Sequence, residues 1–218
     1  MIRVPSAARA GVAYTLRGGL YVSLTNASPS LSLLASRGPA FAMPADSGYC
    51  ALPEGEAAEP AAKEVAELVD EAYGDFEVVG MGENDLGVRF AGLGDPLLRI
   101  ETLLETVRLV KERRHGVGFA VSTSGLFDAG VPAALKAGGV KGVVVALNAS
   151  NPPQYDKLMQ PTNGKGFGDV CSFVIGAAEA GMDVTCTAVE VPGVDIAVVR
   201  ALASSLGAAT FKSRSFHP

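Results

Sequence analysis

Tryptophan is absent from this chain of 218 residues, and all aromatic residues together make up only 6%. A surface that stacks unpaired bases needs such rings, so single-strand nucleic-acid binding is not expected. Lys and Arg number 18 against 23 Asp and Glu, and the resulting net charge of −5 disfavours a phosphate backbone as partner. No run of 18 apolar residues occurs, so no membrane span is expected, although 48% of the residues are hydrophobic and the mean hydropathy is +0.28. That composition can bury a sizeable core, and the length suits a single domain over residues 1–218.

Cysteine is scarce. Cys50, Cys171 and Cys186 are odd in number and form no CxxC clip, which excludes a disulfide framework and suits a reducing, cytoplasmic compartment. The two histidines, His115 and His217, belong to no HExxH or Cys/His cluster, and no GxSxG elbow occurs. Zinc-enzyme and serine-hydrolase chemistry therefore have no motif to rest on. Acid is missing from the first 45 residues, which hold Arg3, Arg9, Arg17 and Arg37. An Arg-rich start without acid is the pattern of an organelle transit peptide. A core-like strand begins at Leu20, so a disordered or targeting segment would cover only residues 1–13.

What is present is a repeating pattern. Residues 26–57 are punctuated by Pro and Gly and read as a long loop. An acidic stretch, Glu54 to Glu77, carries Val65, Leu68, Val69 and Ala72 at helical spacing and reads as a solvated amphipathic helix. From Leu86 onward, helices that stop at Gly feed apolar strands. The helix LLRIETLLETVRLVKERR ends before Gly116, a short one near Val131–Lys136 stops at Gly138–Gly139, one near Phe167–Ala180 stops at Gly181, and one near Asp195–Leu206 stops at Gly207. Strands are expected near 20–25, 86–92, 117–123, 140–147, 182–190 and 209–213. Six βα units around a parallel sheet with both faces covered follow from this pattern. They could form a flat sheet or an incomplete barrel; a full eight-stranded barrel typically needs about 250 residues.

Ligands in such sheets gather at the C-terminal ends of the strands. GLGDP, from Gly92 to Pro96, follows the second strand. Its glycines would let backbone approach a ligand and Asp95 could receive an ammonium group, while Asp95 and Pro96 also read as the N-cap and first residue of the next helix. The cap is the favoured reading, and the two roles can coexist. Thr123, Ser124 and Gly125 end the third strand, Asn148 ends the fourth, and Val191 to Asp195 read as a turn and helix cap. NGKGFG, Asn163 to Gly168, lacks phosphate-loop spacing and reads as a loop entering a helix.

The stretches LYVSLTN, RFAGLGDPLLRIETLLE, STSGL, VALNASNPPQYDKLMQP and VTCTAVEVPGVD, in this order and over about Tyr14 to Phe211, resemble the radical SAM superfamily, and most closely its small TatD-associated members. The resemblance implies an α/β fold, a partial TIM-type barrel of radical SAM-like (β/α)6 form. It also implies a [4Fe–4S] cluster held by CxxxCxxC in the loop after the first strand, with S-adenosylmethionine (SAM) on the fourth iron. Here that spacing falls on Ser28, Ser32 and Ala35, so residues 26–57 form a degenerate cluster loop and no cluster is expected, since iron–sulfur clusters need soft thiolate ligands. By the same resemblance, Gly92, Gly94, Asp95 and Pro96 match the segment receiving the SAM amino group. Ser124 stands where many relatives carry Asn, next to Thr123 and Gly125, Asn148 falls on the ribose or carboxylate side, and Val191 to Gly193 match the segment near the adenine.

The expected function is therefore that of a pseudoenzyme or regulatory protein binding SAM or a related nucleoside. The alternatives are an active radical SAM enzyme whose cluster is ligated in another way, and a barrel used for metal-free chemistry. The expected partners are a nucleoside-type small molecule and, because open sheet edges invite pairing, a protein partner or a second copy. Neither nucleic acid nor membrane is expected.

Overall fold

A computed structural model describes residues 4–5, 8–55, 58–74 and 87–218. Parts of the 1–13 segment, residues 56–57 and 75–77 of the acidic stretch, and Leu86 lie outside the described residues. Described strands are β1 (Ala13–Leu16), β2 (Gly19–Val22), β3 (Val88–Phe90), β4 (Phe119–Thr123), β5 (Gly142–Ala146), β6 (Asp183–Val189) and β7 (Thr210–Arg214). Described helices are α1 (Ala62–Tyr73), α2 (Ile100–Arg113), α3 (Val131–Gly138), α4 (Pro152–Met159), α5 (Phe167–Glu179) and α6 (Ile196–Ser205). The six strands expected from the sequence are β2 to β7. Two compact units divide the chain: residues 1–27, 43–121 and 138–140, and residues 28–42, 122–137 and 141–218.

In the first unit β1 and β2 form an antiparallel hairpin, and β2–β3 and β3–β4 pair in parallel. The hairpin turn is Arg17–Gly18, with φ of 52° and 82°. Positive φ at both central residues matches the right-handed twist of the flanking strands, which explains why a glycine sits there. One face of these strands, Leu20, Val22, Val88, Phe90, Phe119 and Val121, is fully buried, and Phe90 stacks on Phe119 at 6.1 Å. α1 and α2 pack together; α1 buries Val65, Leu68, Val69 and Tyr73, and α2 buries Leu103, Val107 and Val110. A half-buried Arg99–Glu59 ion pair at 2.6 Å ties the start of α2 to the segment before α1.

In the second unit β5–β6 and β6–β7 are parallel. Val143, Val145, Val184, Cys186 and Ala188 are buried, and α5 covers β5 and β6 with Val170, Phe173, Val174 and Ala177. α6 begins at Asp195, whose side chain accepts from the Ala197 and Val198 amides, the cap read from the sequence. The NGKGFG segment leads into α5, with Asp169 accepting from the Gly166 amide at 2.9 Å. α4 was not expected. It starts with Pro152–Pro153, prolines being tolerated in a first helical turn, and Asn151 caps it by accepting from the Gln154 amide. Among the described residues no helix is long and apolar enough to cross a membrane.

Phe90→Ala removes a fully buried ring from the stack with Phe119. Urea unfolding should show a loss of about 3–5 kcal/mol, the usual range for such truncations.

Candidate functional site

The chain leaves β2 at Val22 and enters its long loop through Ser23 to Ala27. Two backbone bonds fix this exit: the Gly94 amide donates to Thr25 O at 3.2 Å and the Asp95 amide to Ala27 O at 2.8 Å. Gly94 must be glycine for this. A Cβ there would stand 2.3 Å from Ala27 O and 2.5 Å from Thr25 O, and one on Gly92 would stand 2.4 Å from Ser23 Oγ. The close approach that these glycines permit is thus to the chain's own loop. Asp95, 2% exposed, has extended backbone and its Oδ1 accepts from the Leu97 amide at 3.1 Å, with Pro96 following at the first position. The favoured cap reading is what the local geometry displays. On the loop side, the Asn26 amide donates to Leu52 O and accepts from the Leu52 N–H.

Past Ala27 the loop belongs to the second unit. Ser28 Oγ accepts from the Ser30 amide at 3.4 Å, and Ser32 Oγ accepts from the Ala35 amide at 3.1 Å. Ala35 is exposed and opens a short 3-10 turn, Ala35–Arg37. Two further bonds anchor the loop: Leu31 N to Met159 O at 2.7 Å and Thr162 N to Pro29 O at 2.8 Å. The loop is therefore closed on itself by hydroxyls that satisfy backbone amides, a common role for serine in turns.

The remaining strand-end residues of the second unit are placed as follows. Thr123 Oγ1 accepts from the Gly125 amide at 3.0 Å, Ser124 Oγ accepts from the Leu126 amide at 3.4 Å, and both residues are buried. Asn148 has a left-handed backbone, φ 53°, and is 4% exposed. Its Oδ1 accepts from the Val189 amide at 3.1 Å, its Nδ2 donates to Met159 Sδ at 2.9 Å, and its own amide donates to Thr187 O. It thereby ties the end of β5 to the end of β6. Val191 and Gly193 lie in the turn before α6, where Gly193 O accepts from the Gln154 side chain at 3.0 Å. The sequence-derived residues accordingly fall into two groups. Gly92 to Pro96 gather with Thr25 and Ala27 in the first unit, and Thr123, Ser124, Asn148, Val191 and Gly193 sit at strand ends of the second.

Whether these residues suit an iron–sulfur cluster can be tested on donor chemistry. The three positions of the cluster spacing offer two turn-closing hydroxyls and a methyl group. Cys50 is exposed, Cys171 lies on α5, and Cys186 is buried in β6. Burial pushes the Cys186 thiol up to about 12, with Cys171 adding to the rise, and burial also raises Cys171. Thiols held protonated are poor metal ligands. Among the described residues no three His, Cys, Asp or Glu gather into a group that could hold a metal ion. This donor set does not fit a cluster held by three thiolates of one loop.

No protein-family model matches the chain. The chain is 29% identical over 153 residues to a GTP 3',8-cyclase of Aquifex aeolicus (strain VF5), a match that covers 70% of this chain and 43% of the cyclase. Among solved structures, the FeFe-hydrogenase maturase HydG from Carboxydothermus hydrogenoformans superposes with a TM-score of 0.61 at 13% identity, over 91% of this chain and 44% of HydG. The radical S-adenosylmethionine methyltransferase TsrM from Kitasatospora setae, with cobalamin and a [4Fe–4S] cluster bound, gives 0.54 at 17% identity, over 89% of this chain and 36% of TsrM. The chain thus spans less than half the length of these proteins.

Two outcomes check the geometry. Gly94→Ala should cost at least about 1–3 kcal/mol by forcing backbone apart, whereas Asp95→Ala should cost about 0.5–2 kcal/mol as a lost cap; thermal unfolding separates them. Labelling of the native protein with a thiol-specific disulfide reagent should modify Cys50 quickly and leave Cys186 untouched until the protein is denatured. The fold class read from the sequence, a partial TIM-type barrel of α/β type, stands on these structural likenesses.

Proposed function

We propose that this chain is a radical SAM-fold protein that has lost the thiolate ligands of the cluster loop, and that it acts as a cytoplasmic ligand-binding or regulatory pseudoenzyme for SAM or a related nucleoside. One observation carries the reading: at the spacing where the family places three cysteines, Ser28 and Ser32 have hydroxyls committed to closing backbone turns, and Ala35 offers no donor. A neutral hydroxyl is a hard, weak ligand for iron, and a methyl group is none. The degenerate motif and the TatD-associated affiliation belong to this proposal.

The ligand side of the reading rests on the strand ends. Asp95, Thr123, Ser124 and Asn148 all direct side-chain atoms to amides of the protein itself. A nucleoside bound there would meet chiefly backbone groups and the Val191–Gly193 turn. Without an iron to chelate the amino and carboxylate groups of SAM, affinity falls below that of a cluster-bearing relative.

A second reading is favoured by the names of the relatives, which are those of enzymes: GTP 3',8-cyclase, and a methyltransferase with a [4Fe–4S] cluster bound. It makes this chain an active enzyme whose cluster is ligated by other groups. Anaerobic reconstitution with iron and sulfide separates the two. The first reading expects a colourless protein with negligible bound iron, stabilised against heat by SAM, and iron uptake of about four per chain only in the triple variant Ser28→Cys, Ser32→Cys, Ala35→Cys. A brown wild-type protein that binds about four irons and cleaves SAM establishes the second reading instead.

A further inference from the structure

The first unit has a feature that the strand ends do not explain. Register pairs Tyr14 with Tyr21, Tyr21 with Arg89 and Arg89 with Ala120, so these four residues form one row across β1, β2, β3 and β4. They stand on the face opposite to the buried Leu20–Val88–Phe119 row, because side chains alternate along a strand. Tyr21, Arg89 and Ala120 are only half-buried, so this face is in part accessible.

An arginine at the centre of a three-residue strand between Val88 and Phe90 is unusual, since charged residues are rarely buried without a partner. Arg89 Nε is buried, and it is the one side-chain nitrogen of that kind among the described residues with no hydrogen-bond partner. Its one ring contact puts the guanidinium carbon 5.8 Å from the centre of the Tyr21 ring. No described carboxylate pairs with it; the ion pairs of this unit are made by Arg9, Lys63, Arg99, Arg108, Arg113 and Arg114. A guanidinium stays charged, and leaving one of its N–H groups dry costs stability unless something returns the bond.

The surroundings suit an anion with an attached planar or apolar body. The Tyr14 ring lies 5.1 Å from Tyr21 and meets Tyr49 edge-on at 5.0 Å, giving an aromatic wall beside the charge. Burial, with help from Tyr21 and Tyr49, raises the Tyr14 pKa despite the opposing charge of Arg89, so its phenol stays neutral. Ala120, the register neighbour on the other side, presents only a methyl group.

We infer that the Tyr14–Tyr21–Arg89–Ala120 row is an oxyanion-binding site, in which Arg89 receives a phosphate or carboxylate group of a small-molecule ligand against the tyrosine rings. A guanidinium fork matches the two oxygens of either group. The site stands independently of whether a cluster or SAM is bound.

Isothermal titration of the full chain with inorganic pyrophosphate and, separately, with malonate tests this at low ionic strength. At least one should bind saturably, and the tighter of the two tells phosphate from carboxylate chemistry. Arg89→Met should raise the dissociation constant at least tenfold without lowering the melting temperature of the unliganded protein, whereas a purely structural arginine would lower it. Arg89→Lys should retain weaker binding. As a check needing no variant, the Arg89 Nε–H resonance of the wild type should shift as pyrophosphate is added. Absence of binding by both anions, equal affinity in Arg89→Met, or an unmoved Nε–H signal overturns the inference, and none of these results depends on iron content.

Discussion

The exit of β2 is fixed by two backbone hydrogen bonds, from the Gly94 and Asp95 amides to the carbonyls of Thr25 and Ala27. Much of the first unit's strand-end geometry follows from them. They set where the long loop departs, they demand glycine at 94 for lack of space, and they place Asp95 to cap the turn that opens α2. The GLGDP stretch is therefore required by the fold itself. Residues needed for such a reason are no measure of cofactor chemistry, because they would be needed equally in a protein that binds nothing at this point.

The loop beyond Ala27 supports the same separation of scaffold from chemistry. Cluster ligation asks for three thiolates pointing at one volume. The loop here uses serine hydroxyls to satisfy its own amides, and it is stitched to residues 159–162 by backbone bonds at both Pro29 and Leu31. Such a loop holds its form through local bonds and does not need a metal to organise it. The three cysteines stand in three different settings, exposed, helical and buried in a strand, which is the distribution of residues kept for packing or by chance.

Much of the fold could be read from the sequence because its signals were local. Glycine stops, apolar runs and the Asp95 and Asp195 caps located β2 to β7 and five of the helices. α4 was missed because paired prolines signal a turn as strongly as a first helical turn, and only the cap at Asn151 decides between them. β1 was missed because AYTL is short and its hairpin depends on Arg17 adopting a left-handed backbone, which residue type alone does not announce. At the strand ends, the sequence located the residues but not their partners: that Asn148 would span from β5 to Met159 and Val189 is a tertiary fact. Arg89 lay inside the strand expected near 86–92, and a charge between the core residues Val88 and Phe90 was the signal available.

That charge now bears on where ligand recognition resides. At the strand ends, Asp95, Thr123, Ser124 and Asn148 each have a bond inside the protein. On the strand face, Arg89 has a dry Nε with none. Polar groups satisfied internally cost nothing to keep and give little to a ligand, whereas an unsatisfied one destabilises the unliganded protein and strengthens the liganded one by the same missing bond. If selection held both kinds of residue, it held them for different reasons: the first for the fold, the second for something that binds. The recognition chemistry inferred for this unit is then centred on the row of β1 to β4 that carries Arg89.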